Sequence, residues 1–184
     1  MAALRLFLAA YPSPAVADWL LARARALPLP EHKLVPADHV HITLLFLGDR
    51  QPGAMGKVEA SVEAACKGIR PCIVRPLRLI TLPDRGPARL VAAETDSPPS
   101  LMELQKRLSN RLAGRERRSG PFLPHMTLVR FPGSGADYTA TSDLSADGRD
   151  ASPLQFEVRT IHLIKSTLHP KGPVHESLRE FALG

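Results

Sequence analysis

The sequence predicts an α+β fold: a bilobal, pseudo-two-fold arrangement of two antiparallel sheets flanking a central groove, with helices on the outer faces. Three observations point there. The first half alternates strand-like and helix-like stretches in the order β, α, β, β, α. "HITLL" from His41 is echoed by "HMTLV" from His125, 125 − 41 = 84 residues later and near half of the 184-residue chain, with roughly corresponding helical stretches before each. The C-terminal "LQFEVRTIHLIKSTL" and "VHESLREFAL" flank "HPKGP" as the arms of a hairpin. Two similar lobes, each with a sheet that must bury one face, satisfy all three.

The elements follow from local chemistry. Leu4 to Ala10 is an apolar run with strand length, and "SPAVADWLLARARAL" follows as a helix capped by Ser13, with Pro14 in its first turn and Val16, Trp19, Leu20 and Leu27 on one face. "HKLVP" and "HITLLFL" read as two short strands, and "PGAMGKVEASVEAACKG" as a second amphipathic helix ending at Gly68. From Ile69 to Leu82 the content is strand-like, but Pro71 and Pro76 remove ladder donors and place this strand at an edge or break it. "ARLVAAET" is a further strand. "SPPSLMELQKRLSNRLAG" is a helix with Leu101, Leu104, Leu108 and Leu112 on the buried stripe and Gly114 as its stop. "FLPHMTLVRF" is a strand, and the Gly, Ser and Asp-rich residues from Pro132 to Pro153 read as a long mobile surface loop.

Composition bounds the function. A formal charge of +6 and a pI near 9.8 favour an anionic partner, because Lys and Arg gain free energy by displacing counterions from phosphates. Cys66 and Cys72, separated by five residues, match neither a redox pair nor usual zinc spacing and are expected as free, partly buried thiols. Arg5 interrupts the N-terminal apolar stretch, which is shorter than a secretory core, and nothing is long enough to span a bilayer. A cytoplasmic protein without a membrane partner is expected.

In a strand, His41 and Thr43 share one face while Ile42 and Leu44 point to the other, and His125 and Thr127 repeat the pattern. One H-x-T tripeptide carries almost no information; two, each opening an apolar strand in a matching half, put a pair of imidazoles at one site. Histidine titrates near neutrality, so such a pair supplies a general base and a general acid in one turnover. Threonine hydroxyls donate hydrogen bonds to oxygens that gain charge as a phosphate becomes five-coordinate. A strained, anionic cyclic phosphodiester suits this equipment, which needs no metal or other cofactor. Arg130 can pair bidentately with phosphate oxygens. Strict alternation nevertheless puts Arg130 on the face opposite His125, and Phe46 opposite His41, unless each strand bends or twists. By this reading Phe46 belongs in the core.

These motifs resemble the bacterial RNA 2′,3′-cyclic phosphodiesterases of the two-histidine phosphoesterase superfamily, formerly called 2′-5′ RNA ligases. "RLFLA", "LVPADHVHITLLFLGD", "GPFLPHMTLVRF" and "IKSTLHPKGPVHESLREFAL" carry the resemblance over nearly the whole chain. It implies one domain over residues 1–184 with His41 and His125 as the catalytic pair. It further implies Thr43, Thr127 and Arg130 on the phosphate and Phe46 stacked on the base. The activity implied is hydrolysis of RNA or nucleotide 2′,3′-cyclic phosphates to 2′-phosphates, with reversible 2′-5′ joining of tRNA halves in some members; a monomer is expected. A provisional assignment has His41 protonate the departing 3′ oxygen and His125 activate water, though near symmetry leaves the reverse open. "HKLVP" lacks the aromatic or arginine often found before the first motif. The alternative function is a non-catalytic protein that binds RNA ends through the same basic groove.

His39 shares the parity of His41 but is expected at the periphery, since no carboxylate and Cys arrangement completes a zinc shell around it. His32, His162, His169 and His175 read as scattered surface or strand histidines. "GRERRSG" is either an RNA-backbone contact or a solvated cluster at a helix end.

Overall fold

The computed structural model describes residues 3–113, 121–144, 155–169 and 172–184. Strand β1 (Leu4–Ala10) leads into helix α1 (Pro14–Arg25), and β2 (Lys33–Leu34) and β3 (Ile42–Arg50) precede α2 (Met55–Cys66). Next come β4 (Cys72–Val74), β5 (Pro76–Leu82), β6 (Leu90–Thr95) and α3 (Pro99–Leu112). Strands β7 (His125–Arg130), β8 (Thr141–Asp143), β9 (Phe156–Val158), β10 (Thr160–His169) and β11 (Gly172–Ala182) follow.

Backbone pairing joins the two expected sheets into one antiparallel ladder. Its order is β11, β10, β1, β3, β7, β6, β5, β8, with β2 beside β7, while β4 and β9 form a separate pair. Four strands therefore lie on each side of the seam between β3 and β7, and the seam is closed by the residue pair Ile42 and Met126. Each motif strand is the innermost strand of its half.

Local chemistry accounts for most boundaries. The Ser13 hydroxyl accepts from the Val16 amide at 3.4 Å to cap α1, with Pro14 at its first position. The stretch between Ile69 and Leu82 breaks in two before Pro76: β4 leaves for the small sheet and β5 stays in the large one. Trp19 and Leu27 are only half-buried, and the α1 stripe instead runs through Val16, Ala17, Leu20, Leu21 and Ala24. The expected loop after Pro132 is partly corrected. Ala88 and Ala136 exchange backbone hydrogen bonds, β8 pairs with β5, and Ala140 and Leu144 are buried. The rest of that loop from 145 to 153, Gly114, the basic stretch 114–120 and hairpin residues 170 and 171 lie outside the described residues.

Alternation along β1 divides the molecule into two faces. Leu6, Leu8 and Ala10 enter the main core with Leu20 of α1, Val62 of α2, and Leu101, Leu104 and Leu108 of α3. Phe7 and Ala9 point the other way and form a small cluster with Ile164, against which Tyr11 packs. Helix α1 packs on β7 and α3 on β3, so the helices buttress the seam from one face. The opposite face is left for the polar side chains of the motif strands. No helix among the described residues is long and apolar enough to cross a membrane. Cys66 and Cys72 are free thiols, the first buried and the second half-buried.

The buried stripe of α3 carries stability that the hairpin tip does not. Leu104→Ala, at a fully buried site, should lower the unfolding free energy by about 2–5 kcal/mol. Leu168→Ala, at a residue 67% exposed, should stay within about 0.5 kcal/mol of the parent; urea titration of both variants checks the contrast.

Candidate active site

The parity problem posed by Phe46 and Arg130 is solved by two bulges. Along β3, Thr43 stands opposite Ala9 and Leu45 opposite Leu8, so Leu44 is the extra residue, and Phe46 then faces Phe7. Ala9 and Phe7 share one face of β1, so Thr43 and Phe46 share one face of β3. Along β7, Thr127 stands opposite Ala92 and Val129 opposite Val91, which makes Leu128 the extra residue, and Arg130 then faces Leu90. His125, Thr127 and Arg130 are thus brought to one face, opposite Glu94, Ala92 and Leu90. Both leucines are buried on the helix side, which offsets the ladder hydrogen bond a bulge forfeits.

The two bulges stand at the same point of the repeat. Leu128 follows Leu44 by 128 − 44 = 84 residues, the same interval that separates His125 from His41, and 130 − 46 = 84 makes Arg130 the counterpart of Phe46. Phe46 is 61% exposed, which overturns its expected place in the core. The seam pair is flanked in each strand by that strand's motif residues, His41 and Thr43 on either side of Ile42 and His125 and Thr127 on either side of Met126.

The imidazoles are oriented alike. His41 Nδ1 lies 2.7 Å from the His39 carbonyl oxygen, and His125 Nδ1 lies 2.8 Å from the Leu123 carbonyl oxygen. A carbonyl only accepts, so each Nδ1 carries the proton and donates it. In each neutral ring this leaves the lone pair on Nε2. The carbonyls themselves repeat at the same interval, 123 − 39 = 84.

The surroundings of the two differ. Phe7 stacks on His41 at 5.1 Å between ring centroids, Tyr11 lies at 5.4 Å, and His175 of β11 meets its ring edge-on at 5.6 Å. Burial pushes His41 down to about 4, and the nearby His175, His39 and Arg130 add to the depression against the opposing pull of the His39 carbonyl. Burial likewise lowers His175 to about 4, with His39 and Arg130 in the same direction and Asp38 opposing. Arg130, itself lowered by burial, belongs to the other half, so its effect on His41 and His175 joins the two motif strands in one electrostatic site. Around His125 the neighbours are charged: Glu94 opposite it is ion-paired to Arg78. Lys33 of β2 stands opposite Arg130, so the stretch lacking an aromatic or arginine still brings a cation to that edge.

Sequence reasoning missed three parts of this site. Phe7 reads as a core strand residue, yet it floors the site, touching His41, Phe46 at 6.0 Å and His175 at 5.0 Å. His39 and His175 are neither peripheral nor scattered: their rings stack at 4.1 Å beside His41. No short-range pattern signals His175, which reaches the site only through the pairing of β11 with β10 and of β10 with β1. Of the others, His162 packs edge-on against Tyr11 at 5.0 Å, and half-buried His32 bonds its own loop at the Pro30 carbonyl. Among the described residues no three His, Cys, Asp or Glu side chains are grouped as metal ligands.

A helix-backed antiparallel sheet presenting two H-x-T strands, each followed by a bulge, defines a two-histidine sheet protein. The family model of the 2′-5′ RNA ligase superfamily matches residues 12–170, and the chain belongs to that superfamily. The RNA 2′,3′-cyclic phosphodiesterase of Aquifex aeolicus is 29% identical over 156 residues, covering 83% of this chain and 82% of the relative. That of Thermus thermophilus is 29% identical over 192 aligned positions, covering 98% and 90%. A crystal structure of a Thermus thermophilus protein is similar with a TM-score of 0.77 at 27% identity, covering 97% of both chains. E. coli LigT complexed with 3′-AMP shares the fold, with a TM-score of 0.75 at 22% identity over 98% of both chains.

The depressed His41 has a thermodynamic consequence. Unfolded histidine binds its proton near pH 6.5 and folded His41 only near 4, so the unfolded state takes up the extra proton between those values. His41's contribution is full above pH ~6.5 and declines as pH falls toward ~4, by about 3 kcal/mol in all. Urea unfolding at pH 7, 6, 5 and 4 should show a stability loss that is smaller by about that amount in His41→Ala.

Proposed function

We propose that this protein hydrolyses 2′,3′-cyclic phosphates at RNA ends or on nucleotides to 2′-phosphates, without a metal, through His41 and His125. The carrying observation is the recurrence, at one interval of 84 residues, of the carbonyl-oriented histidine, the threonine two residues on and the bulge behind it. A matched pair of imidazoles, each held at Nδ1 with its lone pair on Nε2, is what an in-line displacement needs at its two ends. The names of the relatives support the same substrate class.

In the reaction a water oxygen attacks phosphorus and the bond from phosphorus to the 3′ oxygen breaks. One Nε2 takes the proton from water, and the other gives its proton to the departing oxygen. Thr43 and Thr127 donate to the non-bridging oxygens, and Arg130 holds the phosphate charge, all from the common face. Phe46, exposed on that face and braced by Phe7, stacks on the base. A 5′-hydroxyl in place of water gives the 2′-5′ joining reaction, with tRNA halves as one substrate class. The protein acts as a monomer in this reading. His41 is neutral at pH 7, where protonating it in the free protein costs about 4 kcal/mol, so of the two assignments the accepting role is the one its burial supports.

The second reading, an RNA-end-binding protein without catalysis, has no use for a paired acid and base. Phosphorus NMR on a 2′,3′-cyclic mononucleotide and then a short cyclic-phosphate RNA distinguishes the two. The expected product is the 2′-phosphate, formed equally well in EDTA, with loss of about 10²–10⁴ in rate in His41→Ala and in His125→Ala. Tight binding with chemically unchanged RNA supports the second reading instead.

The pH dependence of kcat/KM reports ionisations of the free enzyme. It should show a limb near pH 4 that belongs to His41, rising with pH because a base must first lose its proton. A limb that falls with pH restores His41 to the acid role, and a flat profile there removes His41 from proton transfer.

A further inference from the structure

We propose that His175 is a positioning residue for His41: its ring closes an aromatic cage that holds the His41 imidazole in one orientation with Nε2 directed outward. This rests on the catalytic reading of His41. The cage has three walls. Phe7 covers one face of the His41 ring at 5.1 Å and 25°, Tyr11 leans on it at 5.4 Å and 48°, and His175 meets it at 5.6 Å and 69°. The His39 carbonyl holds Nδ1, but a single hydrogen bond leaves the ring free to rock about it. Packing against the cage removes that freedom.

His175 is fixed from two other sides. Its ring meets Phe7 edge-on at 5.0 Å and 67°, and lies parallel to the His39 ring at 4.1 Å and 22°. It is thereby wedged between the floor of the site and the residue whose carbonyl orients His41. The backbone brings it there because β11 pairs with β10, setting His175 opposite Ser166, two residues along β10 from Ile164, which faces Phe7.

The wedge works as a neutral ring. His175 Nδ1 is buried without a hydrogen-bond partner among the described residues, and a second proton there would have no acceptor. The charged and titratable groups facing it are His39 and Arg130, which disfavour its protonation, and Asp38, which favours it. Those facing His41 are His39, Arg130 and His175 itself, with the Tyr11 hydroxyl kept protonated, its burial and Asp38 raising it to about 12. A side chain that acts by shape and exclusion of water is replaceable by phenylalanine but not by alanine.

The test compares His175→Phe and His175→Ala with the parent protein. The His41 ring is titrated by NMR of labelled histidine, its signal identified by its absence from His41→Ala, and turnover of a 2′,3′-cyclic mononucleotide is measured alongside. In His175→Ala the His41 midpoint should rise by about one pH unit or more as water reaches the ring. Its kcat should fall about tenfold with a smaller change in KM, because the ring is misplaced rather than the substrate lost. His175→Phe should keep the midpoint within about half a unit and kcat within about threefold. A folded His175→Ala with the parental midpoint and kcat overturns the proposal. If the alanine variant does not fold, His175→Phe decides alone: parental kcat supports positioning by shape, and a tenfold loss overturns it. Full activity in His41→Ala defeats the catalytic reading separately, while the titration still judges whether His175 holds the ring.

Discussion

A β-strand alternates its side chains with a period of two, so residues at positions i, i+2 and i+5 cannot all face one way along a regular strand. That constraint shapes the site. His41, Thr43 and Phe46 have this spacing, as do His125, Thr127 and Arg130, and in each strand one extra leucine after the threonine restores the third residue to the common face. The bulge residues themselves, Leu44 and Leu128, are buried against the helices. The same local irregularity therefore anchors the strand and aims the side chain.

The repeat copies the histidine, the threonine and the bulged leucine but not the residues around them, so the two sides of the seam differ in what they offer. One offers rings, with Phe46 exposed above Phe7 and His41 walled by Tyr11 and His175. The other offers charge: Arg130 with Lys33 beside it, and Glu94 paired to Arg78 next to His125. A nucleotide has the same division into an aromatic base and an anionic phosphate. Arg130 links the two sides of the seam, since its charge falls on His41 and His175 on the β3 side.

Much of this was legible in the sequence, and what was not has physical causes. The helices and long strands were readable because their apolar periods run over many residues; Leu101, Leu104 and Leu108 lie on the buried face as their spacing demands. The histidines and threonines were readable because the motif occurs twice. Phe46 was misplaced because parity counting assumes a regular strand, and a bulge between two leucines leaves no mark in composition. The pairing of β8 with β5 was hidden in a Gly, Ser and Asp-rich stretch, since a three-residue edge strand is too short to show a period. His175 was hidden by distance: 175 − 41 = 134 residues separate it from the ring it touches, and only the strand order β11, β10, β1, β3 brings them together.

The central claim, that both H-x-T strands and the residues re-aimed by their bulges act on one phosphate, is tested most directly by a crystal structure with a nucleoside 2′-monophosphate bound. The phosphate is expected on the face opposite the helices, with Nε2 of His41 and of His125 each within about 3 Å of a phosphate or attacking-water oxygen and the Arg130 guanidinium on the same group. A phosphate held by only one of the two histidines, or with Arg130 turned to the other face of the sheet, would contradict it.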